Sequence, residues 1–111
     1  MGYYDIILQN NGSKEFFLLK SLENVSNSGL YFQFDDVEFN GPDGEYTYAV
    51  VESRDAEYTF KTPLLDTILT IDGVDVILKE LDPYTGLMRV GKASPNGLYD
   101  DGNNKTYYYE G

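Results

Sequence analysis

Turn signals recur so often along this chain that no long helix can form between them. Asn10-Asn11-Gly12-Ser13, Asn40-Gly41-Pro42-Asp43-Gly44, Arg54-Asp55, Asp72-Gly73 and Asp82-Pro83 each interrupt the sequence. Asn, Gly, Asp and Pro mark chain reversals because they tolerate or impose the backbone angles that turns need. Between these breaks the apolar residues alternate with period two, and no helical periodicity persists beyond about two turns. Alternation of that kind puts every second side chain on one face of an extended strand.

The clearest run follows Asp43-Gly44. Tyr46, Tyr48 and Val50 share one face there, Glu45 and Thr47 the other, so 45–53 reads as the central strand of a small β-domain. A first strand spans 3–9, with Tyr4, Ile6 and Leu8 on one face. The Asn10–Ser13 turn returns it as a second strand over 14–20, whose residues Phe16, Phe17, Leu18 and Leu19 are apolar on both faces. Such a strand is covered on both sides, either within the chain or by a neighbour. Further strands are expected over 30–34, 57–62, 64–71, 74–78 and 86–90, with a short edge pairing at 37–39. Short strands at this spacing argue for a sandwich or barrel. The expected fold is all-β, an immunoglobulin-like antiparallel β-sandwich over residues 1–92, followed by a linker and an extended C-terminal arm over 93–111. Tyr46, just after a turn, sits where such sandwiches place a corner tyrosine that bonds back to the preceding turn; the plainer alternative is an ordinary buried tyrosine pair with Tyr48.

Composition decides which chemistry is open to the fold. The chain of 111 residues has no Cys and no His, so it lacks the thiolate and the commonest general base and transition-metal ligand. A charge of −11 opposes direct contact with nucleic acid or an anionic membrane, both of which call for a basic face. No segment approaches the ~20 apolar residues of a membrane helix. Eleven Tyr and six Phe supply the buried area that a modest aliphatic content would leave short. Phosphate-binding loops and dinucleotide fingerprints are absent.

The acidic turns at Asp35-Asp36, Asp72/Asp75 and Asp100-Asp101 carry oxygen ligands suited to Ca²⁺, but none completes a known loop, and turn chemistry accounts for them without metal. No catalytic residue, cofactor or metal is therefore expected. Tyr3, Tyr31 and Tyr84 offer flat rings to a sugar, although core and interface roles account for most tyrosines. The C-terminal Lys105-Thr106-Tyr107-Tyr108-Tyr109 is β-prone and follows a polar stretch from Ala93 to Asn104. It either adds a strand to its own sheet or docks on the sheet edge of a neighbouring molecule.

Several segments in their order resemble one group of proteins. They are Tyr3-Tyr4-Asp5-Ile6-Ile7-Leu8, Asp43-Gly44-Glu45-Tyr46-Thr47-Tyr48-Ala49-Val50, Tyr58-Thr59-Phe60-Lys61, Gly86-Leu87-Met88-Arg89-Val90-Gly91 and the Tyr-rich tail. Together they resemble small β-sandwich virion proteins of tailed phages infecting Bacteroidetes, including crAss-like phages. The resemblance implies a non-enzymatic auxiliary (decoration) capsid protein or a head-fibre anchor, assembled into the virion in the host cytoplasm. Its implied partners are the major capsid protein or other virion proteins, with self-association open, and no nucleic acid or membrane. Tyr107, Tyr108 and Tyr109 are the expected partner contacts. An adhesion module of a fibre or tail, binding host surface glycans, is the alternative.

Overall fold

A computed structural model describes residues 2–26, 31–35 and 37–91 in full, and the backbone of 106–110. The strands are β1 (Tyr3–Asn10), β2 (Phe16–Glu23), β3 (Gly44–Glu52), β4 (Ala56–Thr59), β5 (Ile68–Ile71), β6 (Val74–Ile77), β7 (Tyr84–Gly91) and β8 (Thr106–Glu110). They form two antiparallel sheets, ordered β2-β1-β3-β7-β8 and β4-β5-β6. The fold is thus the all-β antiparallel sandwich that the alternating pattern predicts, with β3 at the centre of the larger sheet.

Register explains why β1 and β3 are apolar on both faces. Ile6 lies opposite Val50, Leu8 opposite Tyr48, and Ile7 opposite Ala49. One face of the large sheet buries Ile7, Ala49 and Val51 against Leu64, Leu69 and Leu78 of the small-sheet layer, with Phe16, Leu18 and Phe60 packed at the side. The other face buries Ile6, Leu8, Tyr46, Tyr48, Val50, Met88 and Val90 beneath Phe32, Phe34 and Phe39. The two-faced strands are therefore covered on both sides within the chain. At ~25 cal/mol per Å² of apolar surface, two buried faces on one sheet are the dominant stabilising contribution.

The covering segment corrects the expected strands at 30–34 and 37–39. Among the described residues, 31–35 and 37–40 join neither sheet. The alternation is real, because Phe32 and Phe34 stack on each other with centroids 5.9 Å apart and face the core. What is missing is a ladder partner. The backbone is tied instead to the preceding loop: Gln33 N–H donates to Asn24 Oδ1 at 3.0 Å, and Val25 N–H donates to the Gln33 carbonyl at 2.8 Å. The segment lies as a strap over the sheet.

Two smaller expectations also change. Residues 64–66 form a 3₁₀ turn, not the start of a strand, and β5 begins at Ile68. Thr67 is buried between them, its hydroxyl accepting from Lys61 N–H at 3.1 Å. In the β1–β2 turn the left-handed residue is Lys14, with φ 67°, not Asn11 or Gly12. Asn10 organises that turn, its Oδ1 accepting from Gly12 and Ser13 N–H at 2.9 and 3.0 Å. The Asp72-Gly73 hairpin forms as expected, with φ of 52° and 80°, both positive as a two-residue type I′ turn demands.

Tyr46 takes the corner role. It is fully buried, and its hydroxyl donates to the Pro42 carbonyl in the turn before β3. Its ring meets Phe39 edge-on at 5.2 Å. Gly41 fits beneath this pair because a Cβ there would overlap the Phe39 ring and approach the Tyr46 hydroxyl to 2.8 Å.

Candidate functional site

Two constellations stand out: a buried carboxylate and an apolar cavity. The carboxylate belongs to Asp5, which is fully buried on β1. The β1–β2 ladder shifts between Tyr4 and Ile6, so Lys20 and Ser21 together oppose Asp5 in a β-bulge. Ser21 adopts a left-handed conformation with φ 57°. Asp5 Oδ1 accepts from Ser21 N–H at 2.9 Å, and Oδ2 accepts from the Tyr58 hydroxyl at 2.6 Å. Lys20 Nζ stands 3.4 Å from Oδ2, donates to the Arg54 carbonyl at 3.0 Å and lies 5.4 Å from the Tyr58 ring centroid. Burial, reinforced by the Asp5 hydrogen bond, pushes the Tyr58 hydroxyl well above the usual tyrosine range. Both carboxylate oxygens are occupied by partners from β2 and β4. The cluster therefore pins the bulge and the small sheet, a structural task.

The cavity lies between the strap and the outer face of the large sheet and measures about 580 Å³. That is within the range of small-ligand and anchor pockets. Ile6 and Leu8 of β1, Tyr48 and Val50 of β3, and Met88 of β7 form its floor; Phe32, Phe34, Val37 and Phe39 form its roof. The strands supply the floor because their period-two pattern puts these residues on one face. The strap roofs it because its alternating aromatics point inward while its backbone stays clear of the sheet. Tyr4 meets Phe32 edge-on at 4.8 Å, and Tyr84 meets Phe32 at 5.4 Å, so the roof is anchored by rings at one end.

The mouth is chemically different. Tyr31 and Tyr84 line the cavity yet remain about half exposed, at 56% and 49%. Gln33 and Asp35 line it too, joined by a 3.3 Å hydrogen bond from Gln33 Nε2 to Asp35 Oδ1. Among the described residues that line it, Asp35 is the single carboxylate. An apolar interior with an aromatic, weakly acidic mouth suits capture of an apolar or aromatic group.

The structure brings two of the three surface tyrosines together. Tyr31 and Tyr84 both line the cavity; Tyr3 lies elsewhere, its hydroxyl donating to Glu23 at 3.1 Å. Asp75 accepts from the Thr70 hydroxyl at 2.7 Å within the β5–β6 hairpin, and no group of three or more metal-ligating side chains occurs among the described residues. Asp36, Asp100 and Asp101 lie outside the described residues. Tyr107, Tyr108 and Tyr109 are placed by backbone alone: β8 pairs with β7, setting them opposite Val90, Arg89 and Met88. Of the two expectations for the arm, this backbone is the strand added to its own sheet; the tyrosine side chains lie outside the described residues. The cavity itself has no sequence motif. Its one trace is the density of aromatics over 31–39, which reads as a strand until the ladder fails to form. No helix among the described residues is long and apolar enough to cross a membrane. No protein-family model, curated protein or solved structure matches the chain.

Proposed function

We propose that this chain is a binding module without a reaction of its own: an auxiliary (decoration) protein that docks on the outer surface of a phage capsid and stabilises it or anchors fibres. The observation that carries this reading is the cavity, an apolar pocket of about 580 Å³ rimmed by the exposed rings of Tyr31 and Tyr84. Pockets of this kind seat a single apolar anchor from a partner, and rim aromatics shield the contact from water. The sequence resemblance to small phage virion proteins supplies the partner class. A capsid repeats its surface many times, so modest identical contacts reach high occupancy once copies link to one another. A charge of −11 favours a neutral or basic protein patch over nucleic acid. Tyr107, Tyr108 and Tyr109 on the edge strand extend the proposed contact.

Co-sedimentation with purified capsids tests the proposal. The full chain binds; the double variant Tyr31→Ala/Tyr84→Ala, checked for an unchanged melting profile, loses at least tenfold in affinity; deletion of residues 94–111 abolishes sedimentation. Full binding by the folded double variant would remove the cavity from the proposal. A second reading, adhesion to host glycans, draws on the same two exposed rings beside Gln33 and Asp35, a combination that can stack on and hydrogen-bond a sugar. Glycan-array binding that Tyr84→Ala eliminates, without capsid binding, would replace the decoration reading.

A further inference from the structure

β7 and β8 are paired from Gly91 opposite Thr106 to Leu87 opposite Glu110. The end of one strand and the start of the next therefore lie side by side. An antiparallel pair in that arrangement can be closed by a turn of about two to five residues. The chain instead places residues 92–105 between them, including Ser94-Pro95-Asn96-Gly97 and Asp100-Asp101-Gly102-Asn103-Asn104. Extended, that segment reaches ~46 Å, against a spacing of ~5 Å between neighbouring strands. A connection so much longer than the gap lets β8 reach the equivalent edge of another molecule.

The edge that receives β8 is built to be paired. β7 pairs with β3 over seven consecutive positions without a register shift. It contains no Pro, and Arg89 is its one charged residue. A strand of eight residues with those properties is an open template for another strand. The opposite edge of the same sheet is different: β2 carries Lys20 and the Ser21 bulge pinned by Asp5, both of which hinder strand addition. Once β8 is withdrawn β7 becomes the edge, so the two edges of the remaining four strands are unequal, one guarded and one receptive. In the sheet β8 has β7 as its neighbour, so an identical register is available on any copy of the chain.

We propose that β8 is exchanged between copies: Thr106–Glu110 of one chain pairs with Tyr84–Gly91 of a second, linking chains through their receptive edges. The occupant is a second copy of this chain, and the exchange operates in solution, independently of any capsid.

Engineered disulfides test it directly, because the chain has no Cys of its own. Arg89 and Tyr108 are opposite each other, and opposed residues of an antiparallel pair lie within disulfide reach. Arg89 is largely exposed, so its replacement leaves the core intact. Oxidised Arg89→Cys/Tyr108→Cys protein should migrate as a covalent dimer or larger species on a non-reducing gel, and reduction should return it to one chain. A disulfide closed within one chain, or none at all, overturns the proposal. As a second measurement, replacing residues 92–105 by Asn-Gly holds β8 on its own β7. Light scattering should then give the mass of one chain where the parent gives at least two. A monomeric parent, or an oligomer that survives the shortened connection, overturns the exchange.

Discussion

Replacing Asp5 by Ala removes a fully buried carboxylate that serves three partners. Two of them lose a bond they cannot easily replace: Ser21 N–H, which faces the bulge, and the Tyr58 hydroxyl at 2.6 Å. Hydrogen bonds to a charged acceptor contribute about 1.5–3 kcal/mol each, which gives roughly 3–6 kcal/mol gross. Lys20 adds little, since its side chain is 39% exposed and water replaces the lost contact. Against this stands the relief of no longer burying a charge, several kcal/mol in an idealised site and less where water reaches the cluster. The expected net loss is about 3 kcal/mol, a drop in melting temperature of roughly 10–20 °C for a domain of this size. Urea and thermal unfolding followed by circular dichroism measure it. A variant within about 0.5 kcal/mol of the parent would refute the assignment of Asp5 as the clamp of the β2 bulge, because the two orphaned donors would then have found equal partners.

Further outcomes follow from the same geometry. Stability should fall as pH rises above about 10: the Tyr58 hydroxyl is held in its protonated form in the fold by burial and by Asp5, whereas the unfolded chain releases that proton near the ordinary value. Below that pH the stabilisation is fully present, and above it the slope is at most ~1.4 kcal/mol per pH unit, reduced because the ring is partly solvated. Tyr58→Phe should flatten the alkaline limb in pH-dependent urea titrations, while Tyr3, whose hydroxyl is raised by its hydrogen bond to Glu23, still contributes; an unchanged limb would contradict the linkage. Gly41→Ala should cost about 1–3 kcal/mol by overpacking, since the new methyl group meets the Phe39 ring and the Tyr46 hydroxyl; a neutral effect in urea titration would contradict that packing. Tyr46→Phe should cost about 1–2 kcal/mol through the loss of the bond to the Pro42 carbonyl, read as a shift in urea midpoint with unchanged slope.

The sheet was legible in the sequence wherever alternation and turn chemistry agreed. β1, β3 and the Asp72-Gly73 hairpin satisfy both signals, and the corner bond of Tyr46 follows from a tyrosine placed just after a turn. The strap at 31–39 was not legible, because period-two alternation reports only that side chains face opposite ways. It cannot report whether the backbone finds a partner, and here Asn24 Oδ1 and Val25 N–H take the two Gln33 backbone hydrogen bonds that a neighbouring strand would supply. Leu64 and Leu65 misled for another reason: a short apolar run carries too few residues to separate a strand from a turn. The cavity lay beyond sequence reading altogether. Its floor joins Ile6, Val50 and Met88, which are far apart in the chain and become neighbours only through the register of β1, β3 and β7.

The proposed binding surface is the mouth of that cavity together with the tyrosine-bearing edge strand, and the proposed partner is a capsid. A cryo-electron microscopy map of the intact phage particle tests the proposal most directly. The expected result is density for the sandwich on the outer capsid surface, with the Tyr31/Tyr84 mouth seated on a capsid side chain. Finding it at a tail or fibre tip with that mouth open to solvent, or finding no copy in the particle, would contradict it.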